Sequence, residues 1–143
     1  MKWLAAFMTC VLLSTPTMAR EVTPAEQRDR SYNANLPSCE DPMVLQDIVW
    51  GFARKESRFW DSSAEIVGFE RVGEVAWRPW GLDYIPRRFC SGTVIVSDGK
   101  KRRINFSIRE KLGFIGIGWG TESCVDGFDR DYSYAPHCKQ ALP

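Results

Sequence analysis

The hydrophobic pattern of this chain changes period once, near Glu65, and that change restricts the fold more than any other feature. Before it, Val44, Leu45, Ile48, Val49, Phe52 and Phe59 recur at spacings of three, four and seven, which places them on one face of an amphipathic helix. Asp41 can cap that helix, Pro42 suits its first position, and Asp61-Ser62-Ser63 ends it, so the expected span is Pro42 to about Arg58. Gln46, Asp47, Arg54, Lys55 and Arg58 form the opposite, polar face.

After Glu65 the period is two, and β-branched and aromatic residues become frequent. Four strand-like runs follow: Glu65 to Trp77, Arg87 to Val96, Lys101 to Glu110, and Gly113 to Glu122. Ser97-Asp98-Gly99-Lys100 joins the second to the third, and Asp-Gly can adopt the positive φ angles of a tight hairpin turn. In the third run Ile104, Phe106 and Ile108 alternate with Arg103, Asn105, Ser107 and Arg109, which predicts one buried face and one wet face. The fourth run sets Ile115, Ile117 and Trp119 against Gly116, Gly118 and Gly120, a strand with one bulky and one bare side. The expected fold class is α+β: one N-terminal amphipathic helix packed on a curved four-stranded antiparallel sheet, stapled by disulfides.

The first nineteen positions read as an address rather than as structure. Lys2 precedes the apolar run Trp3 to Leu13, and Thr17-Met18-Ala19 places small residues where a signal peptide is cut. The apolar run is about eleven residues, short of the roughly 20 needed to span a membrane, and no later segment is a spanning candidate. Cys10 sits in mid-run without the small residues that precede a lipidated cysteine. The expected organisation is a signal peptide at 1–19, a flexible polar leader at 20–38, and a single domain at 39–143, periplasmic or secreted. Without Lys2 the 19 Lys+Arg become 18, equal to the 18 Asp+Glu, so no global charge attracts nucleic acid or an anionic membrane.

An exported chain keeps its cysteines oxidised, and removing Cys10 leaves four: Cys39, Cys90, Cys124 and Cys138. Three connectivities exist. The preferred pairing is Cys124 with Cys138, closing the C-terminal loop, and Cys39 with Cys90, tying the helix start to a distant strand, each worth roughly 3 to 4 kcal/mol in the chain-entropy model. Zinc sites use closely spaced cysteine pairs and redox sites a C-x-x-C pair; neither spacing is present.

A helix followed by an antiparallel meander resembles the cystatin-like or nuclear-transport-factor-like roll. The segments RRFCSGTVIVSDGKKRR, GFIGIGWGTESC and DRDYSYAPHC are similar to small exported bacterial proteins of uncharacterised function, over about 39 to 142. The resemblance implies a fold and a compartment; its cysteines, glycines and aromatics carry no catalytic residue across.

Catalytic chemistry has little to draw on. His137 is the single histidine, no serine lies in a G-x-S-x-G elbow, and the mature cysteines are claimed by bridges. Asp126, Asp129 and Asp131 fall at positions 1, 4 and 6 of their loop, unlike the 1, 3, 5 and 12 of a calcium-binding EF-hand, and Arg130 is expected to offset them. No metal or cofactor is expected. Glu65, Glu70 and Glu74 fall within one strand run, where exposure is the ordinary outcome.

Two surfaces are candidates for recognition. Lys100, Lys101, Arg102 and Arg103 lie at the tip of the predicted hairpin, where they either protect a strand edge or, joined by Arg87 and Arg88, make an anion patch. Trp77, Trp80 and Tyr84, with Pro79 and Pro86, load a long loop with interface-forming side chains, unless that loop folds back to cap the sheet. The function these features favour is a non-catalytic binding or accessory module, inhibitor- or immunity-like, with an envelope or extracellular protein partner and no nucleic acid. The alternative is a small hydrolase or isomerase with carboxylate acid and base groups in a pocket between helix and sheet.

Overall fold

The computed structural model describes residues 32–79 and 85–143. Helix α1 (Pro42–Trp60) precedes strands β1 (Ile66–Arg78), β2 (Arg87–Val96), β3 (Lys101–Glu110) and β4 (Trp119–Val125). The strands form one antiparallel sheet in the order β1-β2-β3-β4, so the fold is α+β with a single helix on a meander. The signal-peptide region and most of the leader lie outside the described residues. The helix is N-terminal to the sheet but not to the chain, which runs for forty-one residues before Pro42.

Local chemistry accounts for the helix ends. The Asp41 carboxylate accepts from the Met43 N–H at 2.8 Å, Pro42 occupies the first turn, and Asp61 closes the helix in the left-handed region with its N–H on the Glu56 carbonyl. Val44, Ile48 and Phe52 are buried against Val94, Val96, Ile104, Phe106, Ile108 and Val125. Both edge strands meet the helix, and three register irregularities in β1 bend that strand, so the sheet curls round α1. Phe59 departs from the expected helix face and stands 68% exposed. In the last turn the inward place goes instead to Glu56, fully buried, with the Arg130 guanidinium 2.8 Å from its carboxylate. Arg130 therefore serves the helix rather than the neighbouring aspartates.

Strands β2 and β3 occupy the expected spans, joined through Gly99 at φ +77°. The outer face of β3 is not wet at its centre: Asn105 and Ser107 are each 2% exposed. Cys124 lies opposite Asn105, and its bridge to Cys138 brings the C-terminal segment over this face, where Asn105 Nδ2 donates to the Cys138 carbonyl at 3.1 Å. The other bridge joins Cys39 to Cys90, which is fully buried in the core. Both pairs are as expected.

Packing begins earlier than the expected boundary at 39. Leu36 is buried in the core cluster, and the Glu110 carboxylate accepts from the Asn33 N–H at 3.1 Å and the Ala34 N–H at 2.9 Å. One apolar side chain and one doubly used carboxylate thus hold the end of the polar leader against the sheet.

Candidate binding surface

The largest departure from expectation is also, among the described residues, the most exposed apolar feature. Residues 113–118, expected to start the fourth strand, form the β3–β4 loop instead, with a short 3-10 turn at Phe114–Gly116 and the strand beginning at Trp119. Alternating glycine and bulky residues mimic a strand, but Gly116 and Gly118 both take φ +70° and turn the backbone out of the extended region. The Lys111 N–H donates to the Gly118 carbonyl at 2.6 Å, and Gly116 and Ile117 N–H groups donate back to Gly113 and Phe114 carbonyls. The loop closes so tightly that a Cβ on Gly113 would lie 2.0 Å from the Ile117 carbonyl oxygen.

This closure turns Phe114, Ile115 and Ile117 outward, at 87%, 79% and 62% exposure. Ile115 adopts φ 55°, ψ 34°, a conformation that costs a β-branched residue roughly 1 to 2 kcal/mol. Strain and exposed apolar surface are thus concentrated on the same few residues, a combination that stability alone does not explain. Beside the loop a groove of about 210 Å³ runs between it and the 33–36 segment, lined by Leu36, Glu110, Ile117 and Trp119 among others. At about 30 Å³ per water it has room for roughly seven waters, or for one side chain of a partner.

The aromatic segment between β1 and β2 leaves the sheet at this same end, since Arg78 pairs with Arg87 and β3 ends opposite at Glu110. Trp80 and Tyr84 lie outside the described residues. Trp77 sits within β1, partly buried and packed on the core, with the Arg88 guanidinium 4.6 Å from its ring centroid. Arg88 also pairs with Glu74 and donates to the Leu36 carbonyl at 3.4 Å. Trp77 and Arg88 therefore join the leader segment to the sheet. Pro86, at the far end of the loop, is buried.

The basic residues of the hairpin do not make one patch. Arg87 and Arg88 face Arg109 and Ile108, whereas Lys101 faces Ile95 at the other end, about 26 Å away along the strands. At the tip, Lys101 pairs with Glu70 at 2.8 Å, and Arg102 pairs with Asp98 at 2.6 Å while stacking 4.9 Å from the Phe128 ring. The Arg102 hydrogen bond, helped by the Lys100 N–H, holds the Asp98 carboxyl well below the usual carboxylate range. Lys100 and Arg103 are exposed.

The C-terminal aspartates each have a polar partner of their own. Asp126 faces His137 Nδ1 at 3.2 Å, Asp129 accepts from the Tyr134 N–H at 3.0 Å, and Asp131 accepts from the Ser133 hydroxyl at 2.9 Å, which, ahead of the Lys55 charge, lowers its pKa. Among the described residues no three His, Cys, Asp or Glu side chains are grouped to hold a metal. Between helix and sheet the space beside Glu56 is about 40 Å³, little more than one water. No described helix is long and apolar enough to cross a membrane. No protein-family model, curated protein or solved structure matches this chain.

The sequence pattern points to both ends of the sheet, through the aromatic loop at one and the Lys100–Arg103 run at the other, and places residues 113–118 in a strand rather than in the β3–β4 loop. The signal was present: bulky residues alternating with glycines give a strand no cross-strand partners on one face, and such a run is equally a turn that displays its bulky residues.

Proposed function

We propose that this chain is an exported, non-catalytic binding module of the periplasm or cell exterior that engages a partner protein through the loop end of its sheet. The observation that carries this reading is the closed loop 111–118, which holds Phe114, Ile115 and Ile117 outward at the cost of a left-handed isoleucine. A preorganised apolar tip beside a side-chain-sized groove suits a protein surface, because ordering costs are met on folding rather than on binding. The two disulfides fit an oxidising compartment, and the signal-like start of the sequence supports export. The helix-then-meander order supports the resemblance to the cystatin-like or nuclear-transport-factor-like roll.

Affinity capture from envelope and culture-fluid fractions tests the reading. Phe114→Ala with Ile117→Asp, at the apolar tip, is expected to weaken a captured protein at least about tenfold, as loss of an interface hot spot does. Trp80→Ala tests whether the neighbouring aromatic loop shares the contact. Lys101→Glu, at the opposite end, is expected to leave it unchanged. Capture indifferent to the tip variant, or wild-type protein retained only by lipid vesicles, would overturn the protein-binding reading.

A further inference from the structure

The end row of the sheet carries three arginines side by side. Arg78 on β1 is the register partner of Arg87 on β2, and Arg87 is the partner of Arg109 on β3; the fourth place in the row is Gly120, which has no side chain. Neighbouring strands lie about 4.8 Å apart, so the three stems emerge within about 10 Å of one another on the outer face. Like charges directly opposite each other destabilise a sheet.

Their surroundings gather the guanidinium groups rather than disperse them. Arg78 and Arg87 lie 5.5 and 5.7 Å from the centroid of the same ring, that of Phe89, which is 5% exposed. Among the described residues one carboxylate, Glu122, approaches the row, 3.5 Å from Arg87 and 3.9 Å from Arg109, too far for the paired hydrogen bonds a guanidinium makes with a committed partner. Arg109 Nε is buried with no hydrogen-bond partner. Neither Asp129, which accepts from the Tyr134 N–H, nor Asp131, which meets Ser133 and Lys55, forms an ion pair with the row. Burial and the Glu122 charge raise the Tyr134 phenol above its ordinary value, so it is a protonated neighbour at neutral pH. Among the described residues, the three guanidinium groups thus have one carboxylate within ion-pair distance.

We propose that this row is a phosphate-binding site, in which Arg78, Arg87 and Arg109 hold the oxygens of one tetrahedral dianion. A phosphate monoester carries close to two negative charges at neutral pH, which suits three guanidinium groups that share a single carboxylate contact, and several acceptor oxygens, which suit a row of planar donors. The site lies on the outer face of the sheet and is independent of the apolar tip.

The probe is inorganic phosphate, titrated into the disulfide-bonded protein at constant ionic strength with chloride as the reference anion, and read by the side-chain Nε–H resonances of the arginines. The expected result is saturable shifts at Arg87 and Arg109 with phosphate and none with chloride. Arg109→Gln is expected to weaken binding about tenfold, the value of a charge-assisted hydrogen bond. Exposed Arg78→Gln gives the same direction should the Arg109 variant fail to fold. Glu122→Gln is expected to tighten binding several-fold by removing the competing carboxylate, whereas Lys101→Gln, at the distant tip, leaves it unchanged. Phosphatidylcholine vesicles with and without phosphatidic acid then distinguish the source: retention only with phosphatidic acid identifies a lipid headgroup, and phosphate binding without retention identifies a soluble phosphate. Shifts that fail to saturate, that chloride reproduces, or that Lys101→Gln reduces as much as Arg109→Gln would overturn the proposal.

Discussion

The two ends of the sheet solve the problem of an exposed hairpin in opposite ways. At the β2–β3 turn two of the four basic residues are paired locally, Lys101 with Glu70 and Arg102 with Asp98, while Lys100 and Arg103 stand exposed, and the chain reverses through a glycine at no steric cost. At the other end a β-branched residue is held left-handed, three large apolar side chains face solvent, and three arginines stand in register with one described carboxylate, Glu122, within ion-pair distance. The first end is built as a sheet that only has to be stable would be. The second carries exposed apolar surface and a row of arginines, and that difference is the ground on which recognition is proposed there rather than at the basic tip.

The comparison is broken or sharpened most strongly through what fastens the loop end. The Cys39–Cys90 bridge spans 51 residues and secures the start of the helix beside the leader segment; replacing both cysteines with serine is expected to cost about 4 kcal/mol in urea denaturation. Hydrogen exchange should then quicken first in residues 33–38, where Leu36 and the Glu110 contacts hold the chain. Faster exchange at the β2–β3 turn instead would reverse the assignment of which end depends on its fastenings.

A smaller effect of opposite sign is expected at the strained tip. Ile115→Gly relieves a left-handed β-branched residue whose side chain is already in water, so stability should rise by about 1 kcal/mol even as partner capture falls. A denaturation midpoint that falls would mean that Ile115 is held by packing and not by function.

The smallest effect belongs to the paired tip. Because Arg102 lowers the Asp98 carboxyl in the folded protein, the pair's contribution is full above the ordinary carboxylate value of about 4 and is lost only as pH falls through the depressed value. Asp98→Asn should therefore lower stability slightly at pH 7 and at about pH 4, converging with the wild type in stronger acid, and the exposed setting keeps the difference small. Convergence already at pH 4 would show that the ion pair is not maintained in solution.

Much of the scaffold was legible because its signals are local. Asp41-Pro42 and the apolar spacing defined α1 to within two residues, and strict alternation with Asp98-Gly99 defined β2 and β3. What was not legible depends on distant partners. Glu56 sits in an apolar row because Arg130, far along the chain, comes to meet it; Asn105 and Ser107 look like a wet face until the Cys124–Cys138 bridge draws the C-terminal segment across them. The arginine row was half visible, since Arg87 was singled out, but only register shows that its neighbours are Arg78 and Arg109 rather than the Lys100–Arg103 run.

The Glu110 clamp on Asn33 and Ala34 sets where the molecule can be handled. A dye, affinity handle or solid support attached at Tyr32 or Asn33 would stand beside the groove and shade the contacts proposed for it, whereas attachment at Lys100 leaves that end open. An immobilised preparation that is silent in one orientation and active in the other would be reporting its own mounting.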